Sequence, residues 1–346
     1  MDLTNRQQEI LKEVIDTFIA TAEPVGSKAI MAKLRKPPSS ATIRNEMNTL
    51  EKLGLLEQPH TSAGRVPTGR GYRVYVDSLM EDYTLSFEET LLLNSLLSEK
   101  NKDPDRILSD MASLLARMTG YTVAAFIRER LGTIERFEGV YVNKGSFLLV
   151  MVTSSGKAVT KQFQPDLPLS AEGVRFIIKT LNEHLAKKEL GGITLERIIA
   201  MESDLGKYRG LIAPLIQIIY DVMAEMGKET VMVKGIANLL SFPEFQSDGK
   251  CAALVKDLED ESALTARLQH DVSAGIRVHI ASGGDGLKDT SSVTCPFRFR
   301  RNLEGAVCVI GPKRMDYGKA MARVEYLAKQ IHAVHGFEPN LPLIET

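Results

Sequence analysis

The sequence predicts an α+β chain of several domains, helical at its N-terminus and organised around an antiparallel sheet thereafter. Three observations carry that prediction. Apolar residues recur at three- and four-residue spacing from Asn5 to Leu53, short β-branched and aromatic runs begin after Gly120, and a helical stretch interrupts those runs before strand-like segments return late in the chain. At 346 residues there is room for two or three domains, each with its own core. With 44% hydrophobic and 25% charged residues, the composition excludes global disorder and fibrous architectures.

From Asn5 to Ala20, residues Ile10, Leu11, Val14, Ile15, Phe18 and Ile19 form one apolar stripe, and Thr4 with Gln7 matches a capping box. Pro24 and Gly26 end this helix, and Ser27 is expected to cap a short second one through Ala29, Ile30 and Leu34. Lys36-Pro37-Pro38 breaks the chain. Ser39 or Ser40 then caps a third helix whose Ile43, Met47, Leu50 and Leu53 share a face, with Gly54 suited to end it. Leu55-Leu56-Glu57 and Arg65-Val66-Pro67 read as a two-stranded wing around the loop Gln58 to Gly64. The arrangement is that of a winged helix-turn-helix, over residues 1–76.

Side chains on the third helix give this geometry a purpose. Ala41, Asn45, Asn48 and Lys52 point away from the apolar face, with Thr42, Arg44 and Thr49 beside them. Amides, a guanidinium and small side chains suit base edges, whereas a solvated helix more often carries Glu and Lys pairs. The segment His60 to Arg73, HTSAGRVPTGRGYR, holds three arginines and no acid, as a phosphate-facing loop would. Ser40, Ala41, Thr42, Arg44, Asn45 and Asn48 on the helix, and His60, Thr61, Ser62, Arg65 and Arg70 on the wing, are therefore the expected DNA contacts; Arg65 and Arg70 are placed to meet phosphate or a minor groove. Residues 1–76 carry a net charge of +3 and the remainder −4, a modest asymmetry of the right sign.

Downstream, Tyr72 to Tyr83 and Phe87 to Ser98 read as linker helices in a segment spanning 77–118, with Leu91, Leu92, Ser95 and Leu96 expected on one face. TVAAFI, FEGVYVN, GSFLLVMVTSSG and AVTKQF follow as strands; Ser170 to Lys188 and Leu195 to Gly227 turn helical; Ile276 to Ala281 and Gly305 to Gly311 return as strands.

Three separated blocks resemble one family. SSATIRNEMNTLEKLGLLEQPHTSAGRVPTGRGYRVYVD (Ser39 to Asp77), GIANLLSFPEF (Gly235 to Phe245) and VIGPKRMDYGKAMARVEYLA (Val309 to Ala328) are similar to the heat-inducible transcription repressors of the HrcA family, in the right order and over nearly the whole chain. The resemblance implies a GAF-like antiparallel-sheet domain, over 119–168 and 235–340, carrying an inserted helical dimerisation domain over 169–234. It also implies a homodimer on double-stranded DNA, at an inverted-repeat operator upstream of chaperone and chaperonin genes. Repression would persist until heat stress, with the chaperonin GroEL keeping the repressor active.

Other chemistries find little support. Cys251, Cys295 and Cys308 are far apart and lack a CxxC pair, so reduced thiols are expected rather than disulfides or zinc. The six histidines show no HExxH pattern, and His332 with His335 makes at best a weak surface chelate. The turn Gly283 to Gly286 lacks the Lys-Ser/Thr of a phosphate loop, and Arg314, Asp316 and Tyr317 fit a structural role at a helix start. No catalytic residue, cofactor or metal is expected. The run Leu211 to Met226 is interrupted by Pro214, Gln217, Asp221 and Glu225 and is not a membrane span, and the N-terminus lacks the pattern of a signal peptide, so a cytoplasmic protein without membrane contact is expected. Two competing classes remain: a ligand-gated regulator acting through the sheet domain, and a winged helix that contacts protein instead of DNA.

Overall fold

The computed structural model describes residues 3–60, 63–96, 104–129, 133–154, 156–188, 193–226, 229–247, 249–271, 275–281, 287, 289–299 and 303–334. The chain divides into two units, one comprising 1–127, 230–299 and 305–346, the other 128–229 and 300–304.

The first unit begins with α1 (Asn5–Thr21), whose Thr4 accepts from the Gln7 backbone while Gln7 reaches back to the Thr4 N–H, as the capping box requires. Ile10, Leu11, Val14 and Ile15 are fully buried. They meet α2 (Ser27–Lys33) through Ile30 and α3 (Ser40–Lys52) through Ile43, Met47 and Leu50. Strands β1 (Leu56–Glu57) and β2 (Val66–Pro67) pair antiparallel, Leu56 with Pro67 and Glu57 with Val66. Next comes α4 (Gly69–Val74), capped by Thr68 and extended by one π-helical turn over Tyr75–Leu79. The helix expected from Tyr72 to Tyr83 therefore stops at Leu79, since Met80 is already extended.

Helix α5 (Phe87–Ser95) is narrower than expected, and its buried residue is Leu93. Leu91, Leu92 and Ser95, expected on one face, are all exposed, and α5 turns Glu89 and Leu93 inward. After α6 (Pro104–Thr119) comes a five-stranded sheet in the order β7-β3-β10-β9-β8, built from β3 (Thr122–Glu129), β7 (Glu229–Lys234), β8 (Arg277–Ile280), β9 (Thr290–Phe299) and β10 (Leu303–Pro312). Burial at consecutive positions of β10 means cover on both faces. One face packs Ala124, Phe126, Ala306, Cys308 and Ile310 against Leu239 of α10 (Ile236–Leu240), Leu254 and Leu258 of α11 (Lys250–Glu259) and Leu268 of α12 (Glu261–Asp271). Helix α13 (Tyr317–Val334) packs on β9, α5 and α6.

In the second unit β4 (Ile134–Asn143), β5 (Ser146–Thr153) and β6 (Ala158–Phe163) form an antiparallel meander. Phe137, Phe147, Leu149, Met151 and Phe163 on its inner face are buried against α7 (Ala171–Leu185), α8 (Leu195–Leu205) and α9 (Ile212–Met226). The sequence groups these strands with 235–340. In the structure the helices that follow them bury their apolar face, so the second unit starts near residue 128 rather than 169. No helix among the described residues is long and apolar enough to cross a membrane.

Candidate nucleic-acid interface

Helix α3 starts where Ser39 accepts a hydrogen bond from the Thr42 N–H, and it ends at Gly54, whose φ of +72° suits glycine. Ser27 was expected to cap α2, but Gly26 occupies that position, and the Ser27 hydroxyl instead shares a 2.9 Å hydrogen bond with that of Ser40. This bond ties the start of α2 to the start of α3 and fixes the turn between them. Behind α3, the wing is extended beyond its hairpin: Val25 and Arg65 exchange two backbone hydrogen bonds of 2.9 Å, an isolated antiparallel bridge just before β2.

Ala41, Arg44, Asn45, Thr49 and Lys52 are exposed along α3, while Ile43, Met47 and Leu50 hold it to the core. Ser40 and Thr42 are half-buried and engaged, the latter through a 2.9 Å bond to the Ser39 hydroxyl. His60 and Arg70 are exposed, with the Arg70 guanidinium close to Gly54 at the end of α3. Thr61 and Ser62 lie outside the described residues. Between α3 and the wing runs a groove of about 200 Å³, lined by Arg44, Asn48, Gln58 and Arg65 among others.

Arg65 departs from the open, phosphate-facing position expected for it. Its side chain is only 12% exposed, with Nε 3.0 Å and Nη2 2.9 Å from a Glu51 carboxylate oxygen and Nη2 2.8 Å from Asn48 Oδ1. Asn48 is correspondingly half-buried rather than free. Sequence reasoning missed this clamp and the part of Glu51 in it; the available signal was an acid one helical turn from Asn48 on the same flank of α3.

The domain is anchored from below. Tyr75 donates a 2.6 Å hydrogen bond to Asp16 of α1, Arg73 donates one of 2.7 Å to the Val278 carbonyl of β8, and Tyr72 rests against Tyr317 with ring centroids 5.9 Å apart. Burial pushes the Tyr72, Tyr75 and Tyr317 hydroxyls well above the usual phenol range, so they remain neutral packing groups. The cluster after Gly311 has the structural role expected of it. Asp316 caps α13 by accepting from the Lys319 N–H, and Arg314 pairs with Glu244 and stacks 5.3 Å over Phe242.

Residues 2–79 match the family described as "Winged helix-turn-helix transcription repressor, HrcA DNA-binding", and residues 105–321 match "HrcA protein C terminal domain". This chain belongs to the HrcA family of heat-inducible transcription repressors. Two relatives bearing that name match almost end to end: that of Desulforudis audaxviator is 33% identical with 96% of this chain and 98% of its own length covered, and that of Acetivibrio thermocellus is 30% identical with 96% of each covered. A crystal structure of a hypothetical protein at 2.2 Å shares the fold at a TM-score of 0.57 and 23% identity, covering 96% of this chain and 99% of that one. As an HrcA-family repressor, the chain carries its DNA-binding winged helix at residues 2–79, the segment that presents α3 and the wing.

Proposed function

We propose that this repressor acts as a cytoplasmic homodimer that binds an inverted-repeat operator of chaperone and chaperonin genes through α3 and the wing, blocking transcription until heat stress. The chaperonin GroEL maintains the active form. The observation that carries the DNA half of this reading is the exposed row Ala41, Arg44, Asn45, Thr49 and Lys52 on a helix otherwise held by buried Ile43, Met47 and Leu50. Its amide, guanidinium and small side chains face outward beside a wing that exposes His60 and Arg70, and base readout in the major groove needs those groups. A two-fold dimer is the form in which helix-turn-helix repressors match a palindrome. The second unit supports such pairing: Val140, Val142, Phe176, Leu195 and Ile199 are 43–71% exposed, an unusual quantity of bare apolar surface for one small unit. In this reading the second unit is the inserted dimerisation domain, and the five-stranded sheet belongs to the GAF-like one.

The test is a fluorescence-anisotropy titration of the full chain against the family's inverted repeat and a scrambled duplex, at two salt concentrations, with and without GroEL. A preference for the repeat of about a thousandfold or more is expected. Equal, weak binding to both, with GroEL present, would overturn the reading and return the winged helix to a protein-contact or ligand-gated role. Asn45→Ala and Arg44→Ala should each lose about 1–3 kcal/mol of discrimination while binding scrambled DNA nearly as before. Arg70→Ala should weaken both duplexes alike and flatten the salt slope by about 0.9. Equal losses on both duplexes for Asn45→Ala would remove Asn45 from the reading face.

A further inference from the structure

Asn45 and Asn48 both sit on α3, yet they are not chemically equivalent. The Asn45 side chain is exposed, so its amide can turn oxygen and nitrogen together toward one base edge, as bidentate pairing with adenine requires. Asn48 cannot. Arg65 Nη2 lies 2.8 Å from its amide, and because a guanidinium has donors and no acceptor, the atom facing it is the amide oxygen. The oxygen is thereby tied to the wing, and the Nδ2 group is the unengaged end of the amide beside the groove that Asn48 lines. The same guanidinium reaches Glu51 through Nε and Nη2, so its charge is matched within the protein and its donors are directed inward. A cation so neutralised releases few counterions from DNA.

We infer that Asn48 is a donor-only reader of base edges, held in that state by Arg65, which serves as a positioning residue and not as a phosphate clamp. This rests on the repressor reading above. The chemistry Asn48 takes is a lone acceptor in the major groove: a purine N7, a guanine O6 or a thymine O4. Asn45, by contrast, retains the bidentate option.

The experiment uses the full chain and an operator in which single bases are replaced in turn: purines by their 7-deaza forms, adenines by purine lacking the exocyclic amine, guanines and thymines by analogues lacking O6 or O4. At one position or more, removing the acceptor should weaken wild-type binding about five- to tenfold, the worth of one net hydrogen bond, and should have no effect on Asn48→Asp. Asn48→Asp keeps an acceptor for Arg65 but loses the donor, so it tests the reader without opening the clamp. At that same position, removing an adenine amine should cost nothing. Arg65→Gln should lose operator preference with an unchanged salt slope. Three results would overturn the inference: an amine-removal penalty that Asn48→Asp abolishes, no position whose sensitivity depends on Asn48, or an Arg65→Gln salt slope flattened by about 0.9 with equal loss on scrambled DNA. If Arg65→Gln fails to fold, as a thermal melt would report, the Asn48→Asp scan decides alone. A wild-type chain without operator preference is a separate outcome, since it overturns the repressor reading itself.

Discussion

Gly71→Ala should abolish DNA binding and destabilise the DNA-binding domain by at least about 3 kcal/mol. A methyl group at Gly71 would overlap the Leu55 carbonyl oxygen and lie 3.2 Å from its carbon and 3.6 Å from its Cα. None of these atoms can give way as a flexible side chain would. Leu55 is buried, its N–H donates to Leu50 at the end of α3, and its carbonyl accepts from Thr68, the cap of α4. Leu56 beside it begins the wing by pairing with Pro67. Moving α4 away to admit the methyl would break the link between α3 and the wing, and would lift Tyr72 from Tyr317. Gly69→Ala, two residues earlier in the same helix, is the control. Its nearest neighbour would be Ile280 Cγ2 at 4.0 Å, so the change should be neutral or stabilising by about 0.4–1 kcal/mol. Thermal melts and anisotropy on both variants check the pair, and a Gly71→Ala chain with wild-type melting would refute the argument.

How far such a contact could be read from the sequence depended on the distance over which it acts. The capping box of Thr4 and Gln7 and the buried face of Ile43, Met47 and Leu50 involve residues within two or three turns of each other, and both appear in the structure as the periodicity predicts. The family blocks likewise reported their own family, because each is a contiguous run. Where a residue's partner comes from far along the chain, local pattern misled. Ser27 has the chemistry of a cap, but Ser40, thirteen residues on, takes its hydroxyl. Arg65 looks like a free cation in a basic loop, and only the folded wing brings it to Glu51 and Asn48. Leu91, Leu92 and Leu93 are adjacent and equally apolar, and only in the fold, where α5 packs on α13 from more than two hundred residues away, is Leu93 the one buried. The runs from 134 to 163 carry the β-branched and aromatic pattern of the strands they form, yet that pattern does not say which helices cover them. Exposure of Ala41, Arg44 and Asn45 was legible for the opposite reason, since it follows from the helix period alone.

Long-range contacts also supply the second large effect. Arg323 of α13 places Nε 3.0 Å and Nη2 2.6 Å from Glu89 of α5 and Nη1 2.6 Å from the Met118 carbonyl at the end of α6. Glu89 in turn accepts from the Ser86 N–H at 2.8 Å and the Tyr83 hydroxyl at 3.0 Å. Both side chains are nearly enclosed, at 12% and 13% exposure. Arg323→Ala would leave the carboxylate buried without its cation, and the expected loss is about 3–5 kcal/mol. Burial alone would raise the Glu89 pKa, but the Ser86, Arg323 and Tyr83 hydrogen bonds outweigh it and hold the carboxyl at about 2. Because the unfolded chain takes up this proton at about pH 4.5 and the folded chain only near 2, the contribution of Glu89 is complete above about pH 4.5 and fades as pH falls from there through about 2. At 1.36 kcal/mol per unit, about 3 kcal/mol of acid sensitivity belongs to this one group. Urea melts of wild type, Glu89→Gln and Arg323→Ala between pH 7 and pH 2 separate the two claims. Wild type should lose stability steeply below about pH 4.5, while Glu89→Gln should lack that portion of the slope and Arg323→Ala should start several kcal/mol lower and fall less. Parallel acid profiles in all three proteins would mean that Glu89 does not set the pH limit, and an Arg323→Ala curve starting level with wild type would mean that the clamp does not hold α5 to α13.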